Sequence, residues 1–215
     1  MQIANCQFAF CNLHFAIMSA SEDILTRIRR HSVADAGLPG HEGPWIQYSD
    51  PHRQFTEALA SVGGRCVVVV DIASANASLA EIPEYAAARK RCSLVPGIGN
   101  STFDLAAVCD PHELEDVEFA VLPGEFAVAE NGAVWVTDDD LAHRVLFFLP
   151  QHLAIVVSTR NLVHNLHEAY ERASIGRTAF AALVSGPSKT ADIEQALVIG
   201  AHGARSLIVF LVESW

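Results

Sequence analysis

Four short runs of aliphatic and β-branched residues constrain this chain more than any other feature. They are RCVVVVD at 65–71, LAIVVS at 153–158, AALVSG at 181–186 and SLIVFLV at 206–212. Each is of strand length with an unbroken apolar middle, as a strand covered on both faces has. Helical segments are expected between them: an alanine-rich region at 76–90 interrupted at Pro83, then stretches at about 160–173 and 190–199. Upstream, Asp50-Pro51 reads as an N-cap with proline at the first helical position, and Phe55, Leu59 and Val62 form the buried stripe of that helix. Strands alternating with helices predict an α/β layered sandwich with a largely parallel sheet.

Composition narrows the function classes. At 215 residues one domain is the default, and no apolar run reaches the roughly 18–20 residues of a membrane span. The net charge is −11, and the longest basic groups are Arg27-Ile28-Arg29-Arg30 and Arg89-Lys90-Arg91, which argues against a nucleic-acid partner. Five cysteines without a C-x-x-C pair offer no disulfide framework, zinc site or iron–sulfur scaffold. A reducing, cytoplasmic compartment follows as the expectation. Residues 1–17, MQIANCQFAFCNLHFAI, lack the layout of a signal peptide. They read as an upstream extension or disordered segment before Met18, or as an added edge strand. Ser19 and Glu22 then suggest a capping box, and 18–215 is expected to form a single domain.

Several groups of residues are candidates for chemistry. The stretch SGPSKTADIE, 185–194, follows an apolar strand and precedes a helical pattern. Ser185, Gly186, Ser188, Lys189 and Thr190 there form either an anion cradle at a strand–helix junction or a helix cap satisfied by Asp192 and Glu194. A glycine turn, Gly97-Ile98-Gly99-Asn100, offers backbone N–H groups to a developing negative charge. Glu130-Asn131-Gly132 separates two apolar segments; Asn-Gly is a hairpin turn, and the glutamate either faces solvent or acts. His164 and His167, three apart, suit one helix face without marking further zinc ligands, and no metal site is expected. His202 either contacts an anion, serves as an acid/base group, or holds its turn. No G-x-G-x-x-G fingerprint or other cofactor motif is present.

The stretch SGPSKTADIEQALVIGAHGARSLIVFLV, 185–212, resembles the C-terminal signature of the LUD-domain family, in its lactate utilization protein C group. Ser185 to Glu194 match the core of that signature in register, and His202-Gly203 match its later His-Gly. The resemblance extends back to Met18 through EDILTRIR, FTEALASVGG, a central Glu-x-Gly turn and FFLPQHLAIVV; residues 1–17 have no counterpart. It implies a three-layer α/β/α sandwich of the kind shared by sugar-phosphate isomerases and CoA transferases (the NagB/RpiA/CoA transferase-like fold). It also implies a role in oxidising L-lactate to pyruvate beside two iron–sulfur partner proteins, with clusters in the partners rather than in this chain.

The same turn carries a second likeness. Many relatives have Glu-Thr-Gly where this chain has Glu130-Asn131-Gly132, and the Asn resembles the Ser-Glu-Asn-Gly motif of family I CoA transferases, with Ala129 for serine. Gly97-Ile98-Gly99 lies upstream in the same order, at a longer spacing. Three expectations follow: an accessory subunit or enzyme of lactate oxidation that binds a small anionic metabolite, an acyl enzyme with Glu130 as nucleophile, or a non-catalytic metabolite binder. Self-association is open.

Overall fold

The computed structural model describes residues 21–31, 43–139, 141–173, 175–176, 178–191 and 197–215. Residues 1–17 and Ser19 lie outside this set, so the expectations placed on them are not addressed. The chain divides into two compact units, Met1–Gly43 and Pro44–Trp215. In the first, residues 21–30 form helix α1, with Asp23 and Arg27 paired at 3.0 Å one turn apart.

The second unit is built on a five-stranded sheet made from β1 (Arg65–Asp71), β2 (Arg91–Ser93), β3 (Phe119–Pro123), β6 (His152–Ser158) and β11 (Ser206–Ser214). Their order is β1-β11-β6-β3-β2 and every pairing is parallel. The interior strand β11 buries Val209, Phe210, Leu211 and Val212 completely. One face packs under α3 (Ile72–Ala80) and α4 (Pro83–Ala87), where Leu79, Ile82 and Tyr85 meet Phe119, Val156 and Phe210. Asp71 caps α3 through Ser74 N–H at 2.7 Å, and Pro83 opens α4 as its missing N–H allows.

The opposite face meets α2 (Pro51–Ser61) and a second sheet. Asp50 caps α2 at Arg53 N–H, 3.0 Å, while Phe55 and Leu59 are fully buried. The second sheet contains β4 (Phe126–Val128), β5 (Ala133–Thr137), β7 (Leu162–Val163) and β8 (Ala181–Val184), in the order β7-β4-β5-β8. Helix α5 (Leu166–Arg172) lies outside it, with Leu166 and Ala169 against Phe126, Val128 and Trp135. The chain is therefore an α/β sandwich around a parallel sheet, with a smaller sheet inserted in one layer.

Three local expectations need correction. The run 181–186 is not a strand of the parallel sheet: β8 pairs antiparallel with β5, because its chain direction opposes that hairpin strand. The run 65–71 is not buried throughout: Val68 and Val70 are 49% and 60% exposed, since β1 is an edge strand paired only with β11. The helix expected at 190–199 does not hold at its ends. Lys189–Thr190 (β9) and Val198–Ile199 (β10) pair as an antiparallel ribbon, and residues 192–196 lie outside the described set.

The segment 44–48 straps across the start of α5. Trp45 stacks on His167 with ring centroids 3.4 Å apart, and Tyr48 N–H donates to His164 Nδ1 at 3.0 Å. Asn165, 1% exposed, accepts from Glu168 N–H at 3.0 Å as the N-cap and donates to the Ile46 carbonyl at 2.9 Å. The two histidines are thus spent on the strap. Asn165→Ala removes a cap and a buried bond together, with an expected loss of about 2 kcal/mol, read by chemical denaturation.

Candidate functional site

The sequence candidates fall at opposite ends of the parallel sheet. Gly97–Asn100 follows the C-terminal end of β2, and Gly97 lies beside Ile72, the residue after β1. This loop is closed on itself. Asn76 Nδ2 donates to the Gly97 carbonyl at 2.7 Å while its Oδ1 accepts from Gly99 N–H at 2.8 Å. Asn100 N–H donates to Tyr85 Oη and Ile98 N–H to the Val95 carbonyl. The donors an oxyanion would need at 98, 99 and 100 are already engaged. Asn100 Oδ1 in turn accepts from Arg91 Nε at 3.1 Å.

The Glu130 turn lies elsewhere. Gly132, at φ +64°, sits so close to α2 that an added Cβ would be 2.5 Å from Leu59 N and 2.7 Å from Leu59 Cα. The Ser185 loop joins it: Ser185 Oγ donates to the Asn131 carbonyl at 2.9 Å, and Gly186, at φ +74°, faces the Val62 carbonyl. Gly64, just ahead of β1, lies against Gly186 as well. Asn131, Gly132, Ser185 and Gly186 therefore form one cluster around the end of α2, at the N-terminal edge of the parallel strands. That corrects one expectation. The Ser185 loop is not at the C-terminal ends of the parallel strands, where open α/β sheets usually bind ligands, and it lies at the other end of the sheet from Gly97–Asn100.

Glu130 does not face open water alone. Its carboxylate accepts from Leu166 N–H at 2.8 Å, at the first turn of α5 beside the Asn165 cap. A negative charge there satisfies an orphan helix donor and the local dipole. Replacing it by glutamine should lower the melting temperature by a few degrees in a thermal scan while leaving ligand binding at the other loops unchanged.

The remaining candidates border two adjoining clefts. One, of about 350 Å³, is lined by Phe148, Leu149, Gln151, Gly200, Ala201, His202, Gly203 and Arg205. The other, also about 350 Å³, runs beneath Ser185, Gly186, Pro187 and Ser188 onto Phe147, Leu153, Ala204 and Leu207. Phe148, His202 and Gly203 line both. The close approach is made by glycine: an added Cβ on Gly203 would lie 3.0 Å from Ser188 Cβ. Ser188 is fixed by its N–H to the Ala204 carbonyl and its carbonyl to Gly200 N–H, both 2.9 Å. Lys189 and Thr190 sit in β9 and border neither cleft.

Arg205, Gln151 and Phe148 are among the lining residues that sequence reasoning missed. Arg205 stands two residues after His202-Gly203, so only proximity to the signature could have marked it. Its N–H donates to the Gln151 carbonyl at 2.7 Å, which aligns the two segments at the cleft. Nearby His152 pairs through Nδ1 with Ser206 Oγ at 2.8 Å. Burial pushes the His152 pKa below the usual imidazole value; Arg205 pushes the same way, against Glu84 and Glu118. Its folded pKa being the lower one, His152 contributes stability above the ordinary imidazole range and loses it as pH falls through the folded value. Arg205→Ala should raise the His152 pKa part of the way back, as read by NMR titration, because burial is the larger cause.

Cys92 is buried, with its thiol pushed up to about 11 by desolvation, and burial raises Cys66 as well.

Residues 111–212 match the LUD domain, a span that holds Glu130, Ser185–Thr190, His202 and Arg205 but not Gly97–Asn100. Lactate utilization protein C 1 of Bacillus mycoides (strain KBAB4) is 33% identical over 111 residues, 46% of this chain and 47% of that protein. Lactate utilization protein C of Bacillus pumilus (strain SAFR-032) is 28% identical over 105 residues, 46% of this chain and 44% of that one. The chain spans about half the length of the curated relatives it matches. A crystal structure of a DUF162 family protein from Deinococcus radiodurans superposes with a TM-score of 0.55 at 19% identity, covering 75% of this chain and 96% of that one. That likeness shows the fold.

Proposed function

We propose, on the premise that residues 111–212 form a LUD domain related to the lactate utilization protein C group, that this chain serves the oxidation of L-lactate to pyruvate. It does so as a carboxylate-binding partner of iron–sulfur proteins in the cytoplasm. The observation that carries this reading is the cleft where Arg205, Gln151 and His202 converge. A guanidinium fork suits a carboxylate better than any other side chain, by two parallel charge-assisted hydrogen bonds. Gln151 supplies an amide for the adjacent hydroxyl or keto oxygen, and His202 an imidazole placed as the acid/base group.

Oxidation of L-lactate breaks the C2–H and O–H bonds, releasing two electrons and two protons and leaving the C2 carbonyl of pyruvate. In this proposal the hydroxyl proton passes to His202 and the C2 proton to solvent. The two electrons would pass to the iron–sulfur partner proteins, which this proposal names as the oxidant. The Ser185–Ser188 loop positions the His202-Gly203 turn and takes no part in bond breaking.

The test is reconstitution. Mixing the purified chain with its iron–sulfur partner proteins is expected to give a complex and to raise L-lactate:acceptor activity, with the gain lost in Arg205→Ala. No complex and no gain would overturn the role. Saturable lactate binding without any gain would favour a non-catalytic metabolite binder. The acyl-enzyme alternative has less support, because its glutamate is engaged at α5 and its glycine loop is closed at the far end of the sheet.

A further inference from the structure

The cleft beneath Ser185–Ser188 differs in kind from its neighbour at Arg205. No Asp, Glu, Lys or Arg is among the described residues that line it. Leu153 and Leu207, each 2% exposed, are part of its lining. A small anion placed there would lose its hydration without a countercharge, at a cost of several kcal/mol. The wall is aromatic: Phe147 stacks on Phe180 at 6.2 Å and Phe148 meets the same ring edge-on at 5.7 Å. At about 350 Å³ the space lies at the lower end of small-molecule sites, which run from roughly 300 to 1,000 Å³. The polar side chains in the lining are those of Ser185, Ser188 and His202. Ser185 is spent on the Asn131 carbonyl, which leaves the Ser188 hydroxyl and the exposed His202 imidazole as the groups that reach a ligand.

We propose that this cavity binds an uncharged planar ring bearing carbonyl acceptors, of the quinone class, in an orientation fixed by Ser188 and His202. The ring lies against the Phe147–Phe148 wall, where offset or edge contacts favour a flat π-system. Its carbonyls accept from the hydroxyl and the imidazole N–H. Because His202, Gly203 and Phe148 also line the Arg205 cleft, the ring and a carboxylate would occupy neighbouring compartments on either side of one histidine. This binding claim is separate from the lactate reading and does not depend on it.

The test uses the full chain and tetramethyl-1,4-benzoquinone, whose fully substituted ring leaves no position for cysteine addition. Calorimetric titration is expected to show saturable one-to-one binding. Val184→Phe, which fills the cavity from β8, should weaken it at least tenfold. His202→Ala should weaken it severalfold, and Arg205→Ala should leave it unchanged. Absence of saturable binding, or parental affinity in folded Val184→Phe, overturns the proposal. If Val184→Phe does not fold, the surface pair Ser188→Ala/His202→Ala decides, and unchanged affinity overturns it. Parallel titration with L-lactate separates the two claims. Quinone binding without lactate binding removes the carboxylate reading alone, and the converse removes this one alone.

Discussion

Replacing Arg205 by alanine is expected to weaken the binding of L-lactate and pyruvate by roughly ten- to a hundredfold, the worth of a charge-assisted pair. The guanidinium is the cation in the lining of its cleft, and Gln151 and His202 beside it carry no fixed positive charge. Nothing in the core depends on the side chain, since Arg205 is exposed and is tied to Gln151 through its backbone N–H. The melting temperature should therefore stay near that of the parent while affinity falls. Lys189→Ala is the matched control: it also removes one surface cation, yet it sits in β9 outside the cleft, and its affinity should remain parental. Isothermal titration of both variants reads the contrast, and equal losses would mean that general charge, not this cleft, attracts the anion.

The second large effect is structural. Gly132→Ala should destabilise the chain by roughly 3 kcal/mol, combining the left-handed backbone penalty with overpacking. On a unit of this size that is a fall of about 6–12 °C in melting temperature. The atoms an added methyl would meet are Leu59 N and Cα and the Ala58 carbonyl carbon, all backbone of α2, so no side chain can rotate aside. Gly176 supplies the comparison. It has φ +83° but nothing within 4 Å of an added Cβ, so Gly176→Ala carries only the conformational penalty of roughly 1–2 kcal/mol. A Gly132→Ala loss no larger than that at Gly176 would show that the turn can move away from α2.

The parallel core was legible because both faces of its central strands are covered. Runs such as LAIVVS and SLIVFLV have no polar alternation to blur them, and the cap at Asp50 and the interruption at Pro83 are local signals that tertiary context did not override. AALVSG carried the same composition into a different sheet. Composition reports burial but not the direction in which a strand pairs, and that direction here is set by the β4–β5 hairpin it joins. RCVVVVD misled for the opposite reason: β-branching records strand preference, whereas exposure at Val68 and Val70 follows from an edge position fixed by distant segments.

The candidate site was legible in part. Ser185, Gly186, Ser188 and His202 do come together, and the glycine turn at Gly203 makes their contact close. Gly97–Asn100 shared a plausible chemistry with Glu130 but not a place. Chain order alone does not say at which end of a parallel sheet a loop emerges, and the side chain that occupies its donors, Asn76, comes from a helix more than twenty positions earlier. Arg205 was missed because an isolated arginine before a strand resembles any solvated flank.

The central claim is that a small carboxylate binds at the N-terminal edge of the parallel strands, between Gln151 and Arg205. Amide chemical-shift mapping of the ¹⁵N-labelled full chain during titration with L-lactate tests it most directly. The account predicts saturable shifts at Gln151, Gly200, Gly203 and Arg205, with Gly97, Gly99 and Leu166 unmoved. Shifts centred on Gly97 and Gly99, or on Glu130 and Leu166, would contradict it, as would a spectrum that does not change.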